Sequence, residues 1–351
     1  MTDTATTRAG VLLPLPLAGI YDYVVPPDVA VSPGDIVRVP LGPRFVVGVV
    51  WGDGTGDVDT KKLKPIAERL DTPPMTEVQR RFVDWIASYT LSAPGAVLRM
   101  ALSIPEALER VSTEIFYRLA DRPSDIRVTP AREKVLALPA GQLWESAAAM
   151  ARAAGVGAGV VRGLIDAGAV MPVAETGAWT LAPDGALGRV TLSTGQAAAA
   201  SSLRAAVQDD RFSATLLEGV TGSGKTEVYF EAVAEALSKG RQCLVLLPEI
   251  ALSAQWLDRF RRRFGSEPAL WHSDIRRTQR RRVWRDIAEG RVQVVVGARS
   301  ALLLPYPDLG LIIVDEEHDA SYKQEDGVVY HARDMAVVRA SLGGFPVVLA
   351  S

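Results

Sequence analysis

Residues 219–226 fit the phosphate-binding template G-x-x-x-x-G-K-[ST]. The glycines let the backbone curl, so that successive N–H groups and the N-terminus of the following helix face an anion. Lys225 would reach the outer phosphates, and the Thr226 hydroxyl would ligate Mg²⁺. The stretch predicts a nucleotide-binding loop, the alternative being a Gly/Ser-rich turn that caps a helix. The residues expected to bind the nucleotide are Gly219, Thr221, Gly222, Ser223, Gly224, Lys225 and Thr226.

A pair of carboxylates follows the apolar run 311–314. A buried strand that delivers carboxylates at its carboxyl end is typical of a Walker B element. Asp315 would hold Mg²⁺ through water, and Glu316 would polarise the attacking water. The alternative is an acidic strand end that only caps the next helix. We therefore predict Lys225, Asp315 and Glu316 as catalytic residues, with Thr226 and Asp315 at the magnesium.

The elements around these groups alternate between strand and helix over residues 190–351. A helix over residues 225–238 would begin at the loop and end before Gly240. Runs that are apolar on both faces are typical of a parallel sheet covered by helices, with the site at the carboxyl ends of the strands. We expect an α/β P-loop (RecA-like) lobe with a mostly parallel sheet. Its predicted strands cover residues 214–217, 243–247, 292–296, 311–314 and 346–350.

Residues 1–108 are interpreted as a separate β-rich domain that ends in a helix over residues 76–89, begun by Thr76 and Gln79 in a capping-box pattern. Its predicted strands cover residues 11–13, 21–25, 35–39 and 45–51.

Residues 109–189 predict three short helices and a strand pair, an order that resembles a winged helix. Arg152 and Arg162 are the obvious cations of its second and third helices, so DNA contact and a packing spacer both remain open. The helices are predicted at residues 131–138, 143–153 and 156–167, and the strands at 170–173 and 178–181.

Composition narrows the class of protein. The chain has 351 residues, of which 48% are hydrophobic, which is enough for two or three domains with proper cores. Its only cysteine, Cys243, is expected to be a packed thiol, and one cysteine excludes an internal disulfide and a cysteine-bound zinc site. Neither a signal peptide nor a membrane span is visible at the N-terminus, so we expect a cytoplasmic protein.

The net charge of −2 conceals a basic segment. Residues 259–291 contain eleven arginines and four acidic residues, so this segment carries +7 and the rest of the chain −9. Near a phosphate-binding loop, such a basic face favours a nucleic-acid backbone as partner, the alternative being a solvated helix face.

The tetrad Asp315-Glu316-Glu317-His318, paired with the phosphate-binding loop, resembles superfamily 2 helicases of the DEAH type. The resemblance implies that Gln196 reads adenine, although an isolated surface glutamine is the alternative. Residues 247–252 resemble motif Ia of these helicases and residues 297–301 resemble motif Ib, in which Arg299 would grip DNA phosphates. An ordinary strand-to-helix turn is the alternative for both.

Residues 219–229, 310–324 and 330–334 are similar to the PriA family of primosomal replication-restart helicases. That family has an aromatic-rich loop after the tetrad, thought to couple DNA to ATP hydrolysis, so the resemblance implies DNA contacts by Tyr322, Lys323 and Arg333.

Residues 20–23, 37–42 and 48–50 are similar to the domain of that family that captures a 3′ DNA end. The resemblance implies that Tyr21 stacks on the terminal base and Asp22 accepts a hydrogen bond from the 3′-hydroxyl. It also implies that Gly42 allows close backbone approach and that Lys64 lies near the phosphate.

The activity implied is that of an ATP- and Mg²⁺-dependent 3′-to-5′ DNA helicase, which recognises stalled or abandoned replication forks and initiates primosome assembly. The implied partners are forked and single-stranded DNA, primosome and replisome-loading proteins, and single-stranded DNA-binding protein. We expect a monomer associated with the bacterial nucleoid. The alternative is a DNA-fork-binding assembly platform without motor activity.

The second helicase lobe and the cysteine-bound zinc modules of that family have no counterpart in this sequence. We therefore expect an N-terminal portion of such a helicase, one that binds ATP and DNA but lacks complete motor activity, and no structural metal.

Overall fold

The computed structural model describes residues 7–17, 19–109, 114–120, 126–139, 144, 146–175, 182–188, 190–220, 222–248 and 254–351. The chain divides into two compact units, one formed by residues 1–110 and 179–351 and the other by residues 111–178.

The N-terminal region is an antiparallel sheet of five strands in the order β2-β1-β4-β3-β5. Gly42, with φ of 61°, makes the tight turn between β3 and β4, a conformation that favours glycine. The four predicted strands are present, and the short β5 adds a fifth. The strands are β1 (Arg8–Leu12), β2 (Tyr21–Val24), β3 (Ile36–Leu41), β4 (Arg44–Gly52) and β5 (Glu68–Arg69).

Two helices follow this sheet, α1 (Glu77–Thr90) and α2 (Pro94–Ala101). The Thr76 hydroxyl accepts a hydrogen bond from the Gln79 backbone N–H at 3.2 Å, so the predicted cap is present. The second half of the predicted capping box is wrong, because the buried Gln79 amide donates instead to the Leu303 carbonyl at 3.2 Å.

The second unit contains three helices and a pair of antiparallel strands, the elements of a winged-helix-like module. The predicted strand at residues 178–181 lies outside the described residues. The strand that begins at residue 170 pairs instead with an unpredicted strand that begins at residue 114. The elements are β6 (Glu114–Leu119), α3 (Pro130–Leu136), α4 (Ala147–Ala153), α5 (Ala158–Asp166) and β7 (Val170–Glu175).

The C-terminal region is built on six parallel strands in the order β10-β11-β9-β12-β15-β8, as the α/β prediction requires. The strands are β8 (Ser213–Leu217), β9 (Gln242–Leu246), β10 (Ala269–Trp271), β11 (Val294–Gly297), β12 (Leu309–Val314) and β15 (Pro346–Ala350). A separate hairpin joins β13 (Lys323–Gln324) to β14 (Tyr330–His331).

Two details of the sheet differ from the prediction. The strand β10 was not predicted, because three residues are too few to show a period. The strand β8 lies at an edge and exposes Leu216, whereas burial on both faces was expected.

Helices cover both faces of this sheet and create two cores. One core contains side chains of α6, α7 and α8, and the other contains side chains of α9 and α10. The helices are α6 (Thr194–Gln208), α7 (Lys225–Ser238), α8 (Ala254–Phe264), α9 (Arg277–Ala288) and α10 (Ala332–Gly343).

The core on the α9 and α10 side continues into α1 and α2 of the N-terminal region. Arg339 is buried at the centre of this junction and lies over the rings of Phe82 and Tyr306, with its guanidinium carbon 5.5 and 5.1 Å from the two centroids. Its guanidinium donates to the carbonyls of Leu302 and Leu304. The N-terminal sheet and the parallel sheet are thereby joined by one core.

The Arg-rich segment is largely engaged within the chain. At least six of its eleven arginines form ion pairs with carboxylates of this protein: Arg261, Arg263, Arg277, Arg282, Arg285 and Arg291. Because these carboxylates neutralise the arginines, the segment has less positive charge to offer DNA than its composition indicated. The ion pairs therefore do not support the predicted DNA-binding face.

Among the described residues, no single helix is long and apolar enough to cross a membrane. The pair α4 and α5 reaches that length and composition only when combined, and the two helices are bent by 119°.

Candidate nucleotide and DNA sites

The phosphate-binding loop lies between the carboxyl end of β8 and the start of α7, where the sequence placed it. Gly222 and Gly224 have φ of 80° and 82°, left-handed values that favour glycine. Because the first N–H groups of a helix have no intrahelical partner, those of α7 face the loop. Thr221 lies outside the described residues.

Lys225 folds back into its own loop. Its ammonium donates to the Gly219 carbonyl at 2.7 Å, inside the concavity that the loop encloses. A phosphate group in that concavity would offer the ammonium a charged acceptor in place of a neutral carbonyl.

Asp315 ends β12, the strand between β9 and β15, and its carboxylate is buried. One carboxylate oxygen accepts the Tyr229 hydroxyl at 2.8 Å, and the other accepts the Glu316 backbone N–H at 3.0 Å. Burial raises the pKa of Asp315, and these two hydrogen bonds and the Lys225 charge oppose that rise.

Glu316 has a backbone φ of 47°, a left-handed value that a side chain other than glycine rarely adopts. Its side chain is 43% exposed, and one carboxylate oxygen lies 3.7 Å from Nε2 of His318. Asp315 is buried and Glu316 is exposed, so the two adjacent carboxylates occupy different environments.

Gln196 is the third residue of α6 and joins two parts of the site. Its Oε1 accepts the Ser193 backbone N–H at 2.8 Å, which completes a capping box, and its Nε2 donates to the Ser223 carbonyl at 2.8 Å. The Gln196 amide is therefore fixed against the phosphate-binding loop. An adenine bound to Gln196 would either replace these two hydrogen bonds or add to them.

Tyr229 and Trp256 were not predicted as part of the site. The Tyr229 hydroxyl accepts the Trp256 indole N–H at 2.8 Å and donates to Asp315 at 2.8 Å, and the Thr226 side chain is close enough to oppose the rise of the Tyr229 pKa. Burial and the Asp315 charge raise the pKa of Tyr229 well above its ordinary value, so the hydroxyl keeps its proton. A sequence signal existed, since Thr226 and Tyr229 are three residues apart on one helix face.

Tyr322 is buried, which contradicts the expectation that it contacts DNA. Its hydroxyl lies 2.6 Å from the Asp315 carbonyl and 3.0 Å from the Leu246 carbonyl, so it is bound to the ends of β12 and β9. Tyr330 is buried as well. The rings of Tyr322 and Tyr330 are both part of the hydrophobic core. Burial of these aromatic rings stabilises the short hairpin.

The charged residues near the hairpin remain accessible. Lys323 is exposed and pairs with Glu325, and Arg333 pairs with Glu317 and Asp334. Arg333 contacts the carboxylate tetrad through Glu317.

Arg299 follows β11 and donates to the carbonyls of Ser321 and Lys323, at 3.0 and 2.7 Å. It thus joins the predicted motif Ib to the start of the hairpin. Of the predicted motif Ia, residues 249–252 lie outside the described residues.

The four residues predicted for the 3′-end pocket line one cavity of about 480 Å³ on the N-terminal sheet: Tyr21, Asp22, Gly42 and Lys64. The Lys64 ammonium lies 3.4 Å from the Gly42 carbonyl.

The Asp22 carboxylate accepts the backbone N–H groups of Thr55 and Gly56 at 2.8 and 2.9 Å. Burial opposes ionisation, but these hydrogen bonds and the charge of Arg8 lower the pKa of Asp22. The pocket therefore places a charged acceptor within reach of a cation and an aromatic ring.

Comparison with known proteins agrees with both regions. A family model described as the 3′ DNA-binding domain of PriA matches residues 10–103, and one described as DEAD/DEAH box helicase matches residues 194–348. The fold and the site thus define a DEAD/DEAH box helicase domain preceded by a 3′ DNA-binding domain.

Similar proteins share this order over nearly the whole chain. The chain is 34% identical to the replication restart protein PriA of Rickettsia felis, covering 98% of this chain and 42% of that protein. It is 35% identical to the replication restart protein PriA of Haemophilus influenzae, covering 97% of this chain and 48% of that protein. It is 31% identical to the one of Bacillus subtilis, covering 94% of this chain and 51% of that protein. The chain belongs to the PriA family of replication restart proteins, and it spans about half the length of these relatives.

Among solved structures, the UvsW helicase from bacteriophage T4 is 16% identical to this chain. Its TM-score is 0.32, and the match covers 49% of this chain and 56% of the UvsW chain. The DUF1998 helicase MrfA is 20% identical, with a TM-score of 0.31 over 46% and 26%.

Proposed function

We propose that this chain is the nucleotide-binding and DNA-end-binding part of an ATP-dependent 3′-to-5′ DNA helicase, which recognises stalled or abandoned replication forks and initiates primosome assembly. The observation that carries the proposal is the hydrogen bond from the Tyr229 hydroxyl, one turn into the helix that follows the phosphate-binding loop, to the Asp315 carboxylate. It places the end of the phosphate-binding loop beside the carboxylate of β12, which is the arrangement that ATP hydrolysis requires.

The oxygen groups of the site suit Mg²⁺, which prefers carboxylate, hydroxyl and phosphate oxygens. Thr226 and Asp315 are the residues that would hold it, and when bound it would neutralise charge on the β- and γ-phosphates. We assign Lys225 to the outer phosphates and Gln196 to adenine. The phosphate-contacting backbone is assigned to Gly219, Thr221, Gly222, Ser223 and Gly224.

Glu316 is assigned to orient the attacking water. Its exposed carboxylate and left-handed backbone support this role, because the group can meet solvent while Asp315 stays buried beside the nucleotide. A helicase closes two lobes over ATP, so we expect this single lobe to bind ATP well and to hydrolyse it slowly.

We propose a path for single-stranded DNA past Arg299, Lys323 and Arg333, the cations at the hairpin. The role of Tyr322 is revised from base stacking to support of the hairpin, because its ring is buried and its hydroxyl binds the ends of two strands.

We infer three domains, at residues 1–108, 109–189 and 190–351. The two family matches support the first and third domains, which pack as one compact unit, and the compact unit of residues 111–178 supports the second. From family membership we also infer a bacterial, nucleoid-associated monomer whose partners include primosome and replisome-loading proteins and single-stranded DNA-binding protein.

The test is to measure binding of forked DNA by this chain with and without ATP and Mg²⁺, together with ATP hydrolysis. Fork binding that responds to ATP is the expected result. Fork binding that is indifferent to ATP, with no nucleotide bound, would instead favour the non-motor assembly platform.

The 3′-end pocket leads to a separate prediction. We expect the chain to bind DNA with a 3′-hydroxyl about tenfold more tightly than DNA with a 3′-phosphate, because charged Asp22 accepts from the hydroxyl and repels the phosphate. Asp22→Asn should remove most of this preference. Since the pKa of Asp22 is lowered, the carboxylate stays charged as pH falls to 5, and the preference should persist there. Fluorescence anisotropy with the two end-labelled DNAs measures it.

Thr55→Val is the matched control, because it removes a hydroxyl that lines the same cavity and contacts the same carboxylate at 3.3 Å, while the carboxylate charge is kept. It should keep the preference. Equal binding of both DNA ends by the unaltered chain would remove Asp22 from the proposed role.

A further inference from the structure

Tyr229 is a buried side chain of the site to which the proposed reaction assigns no role. It lies one turn beyond Thr226 on α7, and its ring is fully buried, with an edge-to-face contact to Phe230 at 5.4 Å between centroids. Its hydroxyl is the point where three side chains meet: Thr226, Trp256 and Asp315.

The direction of these hydrogen bonds follows from the chemistry of the groups. An indole N–H can only donate, so the Tyr229 oxygen accepts from Trp256 and is left with its own hydrogen to give. The ionised carboxylate of Asp315 can only accept, so it receives that hydrogen. Trp256 therefore fixes the rotation of the Tyr229 hydroxyl toward Asp315.

The same oxygen serves Thr226. A threonine hydroxyl that gives its lone pair to a cation must place its hydrogen on another acceptor. The Tyr229 oxygen is such an acceptor, because Thr226 and Tyr229 lie one turn apart on α7 and the Thr226 side chain is close enough to oppose the rise of the Tyr229 pKa. One hydroxyl thus orients both groups that the proposed function assigns to the magnesium.

We propose that Tyr229, fixed by Trp256, is a positioning residue that holds the Asp315 carboxylate and the Thr226 hydroxyl in the arrangement that binds Mg²⁺ with the nucleotide. The proposal rests on the proposed function, since it deepens the role of the same site. Tyr229 touches neither nucleotide nor metal in this role and acts through the two residues it orients.

The test is a Mg²⁺ titration of the binding of a fluorescent ATP analogue to the 351-residue chain, together with binding in EDTA and a thermal melt. Tyr229→Phe keeps the ring and removes the hydroxyl. We expect the Mg²⁺ concentration at half-maximal binding to rise about tenfold, which corresponds to about 1.4 kcal/mol, while the affinity in EDTA stays the same. Trp256→Phe should shift the Mg²⁺ dependence in the same direction by a smaller factor.

Tyr306→Phe is the matched control, because Tyr306 is also buried and its hydroxyl donates to the Ala301 carbonyl at 3.2 Å, away from the loop. It should lower the melting temperature to a similar extent and leave the Mg²⁺ dependence unchanged.

Three results would overturn the proposal. The first is a Mg²⁺ dependence of Tyr229→Phe equal to that of the unaltered chain. The second is an equal loss of affinity with Mg²⁺ and in EDTA, which indicates a purely structural role. If Tyr229→Phe does not fold, an unchanged Mg²⁺ dependence in Trp256→Phe is the third. Failure of the proposed function looks different, because the unaltered chain itself would then bind no nucleotide.

Discussion

Lys225→Ala is expected to weaken binding of Mg²⁺-ATP by about 30- to 100-fold and to reduce any ATP hydrolysis stimulated by forked DNA to background. The ammonium lies inside the phosphate-binding loop, 2.7 Å from the Gly219 carbonyl, so it is already placed where the outer phosphates would bind. A hydrogen bond between charged groups contributes about 1.5–3 kcal/mol, and alanine leaves the phosphate without this partner. Equilibrium binding of a fluorescent ATP analogue measures the first effect, and phosphate release measures the second.

Lys239→Ala is the matched control for this variant. Lys239 follows the same helix at its far end, where its ammonium binds the Val207 and Gln208 carbonyls. It should bind ATP as the unaltered chain does. If Lys225→Ala retained full affinity and turnover, the loop would not be the nucleotide site.

Arg339→Ala is expected to lower the free energy of unfolding by about 3–5 kcal/mol, because truncation leaves a cavity and removes the hydrogen-bond donor of two buried carbonyls. The guanidinium is buried between Phe82 and Tyr306, and it satisfies the carbonyls of Leu302 and Leu304. Burial lowers its pKa to about 10, and the ring and carbonyl contacts keep it charged at neutral pH. Alanine would leave a cavity and two unpaired carbonyls. Urea unfolding followed by circular dichroism measures the change.

Arg211→Ala provides the comparison, because the Arg211 side chain is 78% exposed and pairs only across the surface with Asp209. Such pairs contribute about 0–1 kcal/mol, so this variant should unfold almost as the unaltered chain does. A loss below about 1 kcal/mol for Arg339→Ala would show that the junction between α1 and α10 is held by apolar contact alone.

The parts of the site that the sequence predicted are those with a local signal. Gly219, Gly224 and Lys225 lie within one short loop of the sequence. Asp315 and Glu316 directly follow an apolar strand. Strand periodicity and flanking glycines placed five strands of the parallel sheet for the same reason. The comparisons confirmed the family that these motifs indicated.

The parts that it missed depend on contacts between distant segments. Tyr322 follows the tetrad in a polar stretch, so its sequence surroundings favoured solvent, but the fold places its hydroxyl on Leu246, 76 residues away. Gln79 fits a capping box by spacing, yet a carbonyl 224 residues away binds its amide. An arginine in an apolar helix, as Arg339 is in α10, signals an internal partner but does not identify it.

The core that joins α1 and α2 to the parallel sheet has a consequence for how a DNA end is handled. Tyr21 and Asp22 belong to the same compact unit as Lys225 and Asp315, so the proposed 3′-end pocket and the proposed nucleotide site are parts of one packed body. Separating the N-terminal helices from the parallel sheet would expose both the Phe82 ring and the charged Arg339 side chain to solvent. If the proposed sites are correct, a 3′ end bound in the pocket would act as a fixed reference point, past which a nucleotide-driven displacement would carry the remaining DNA.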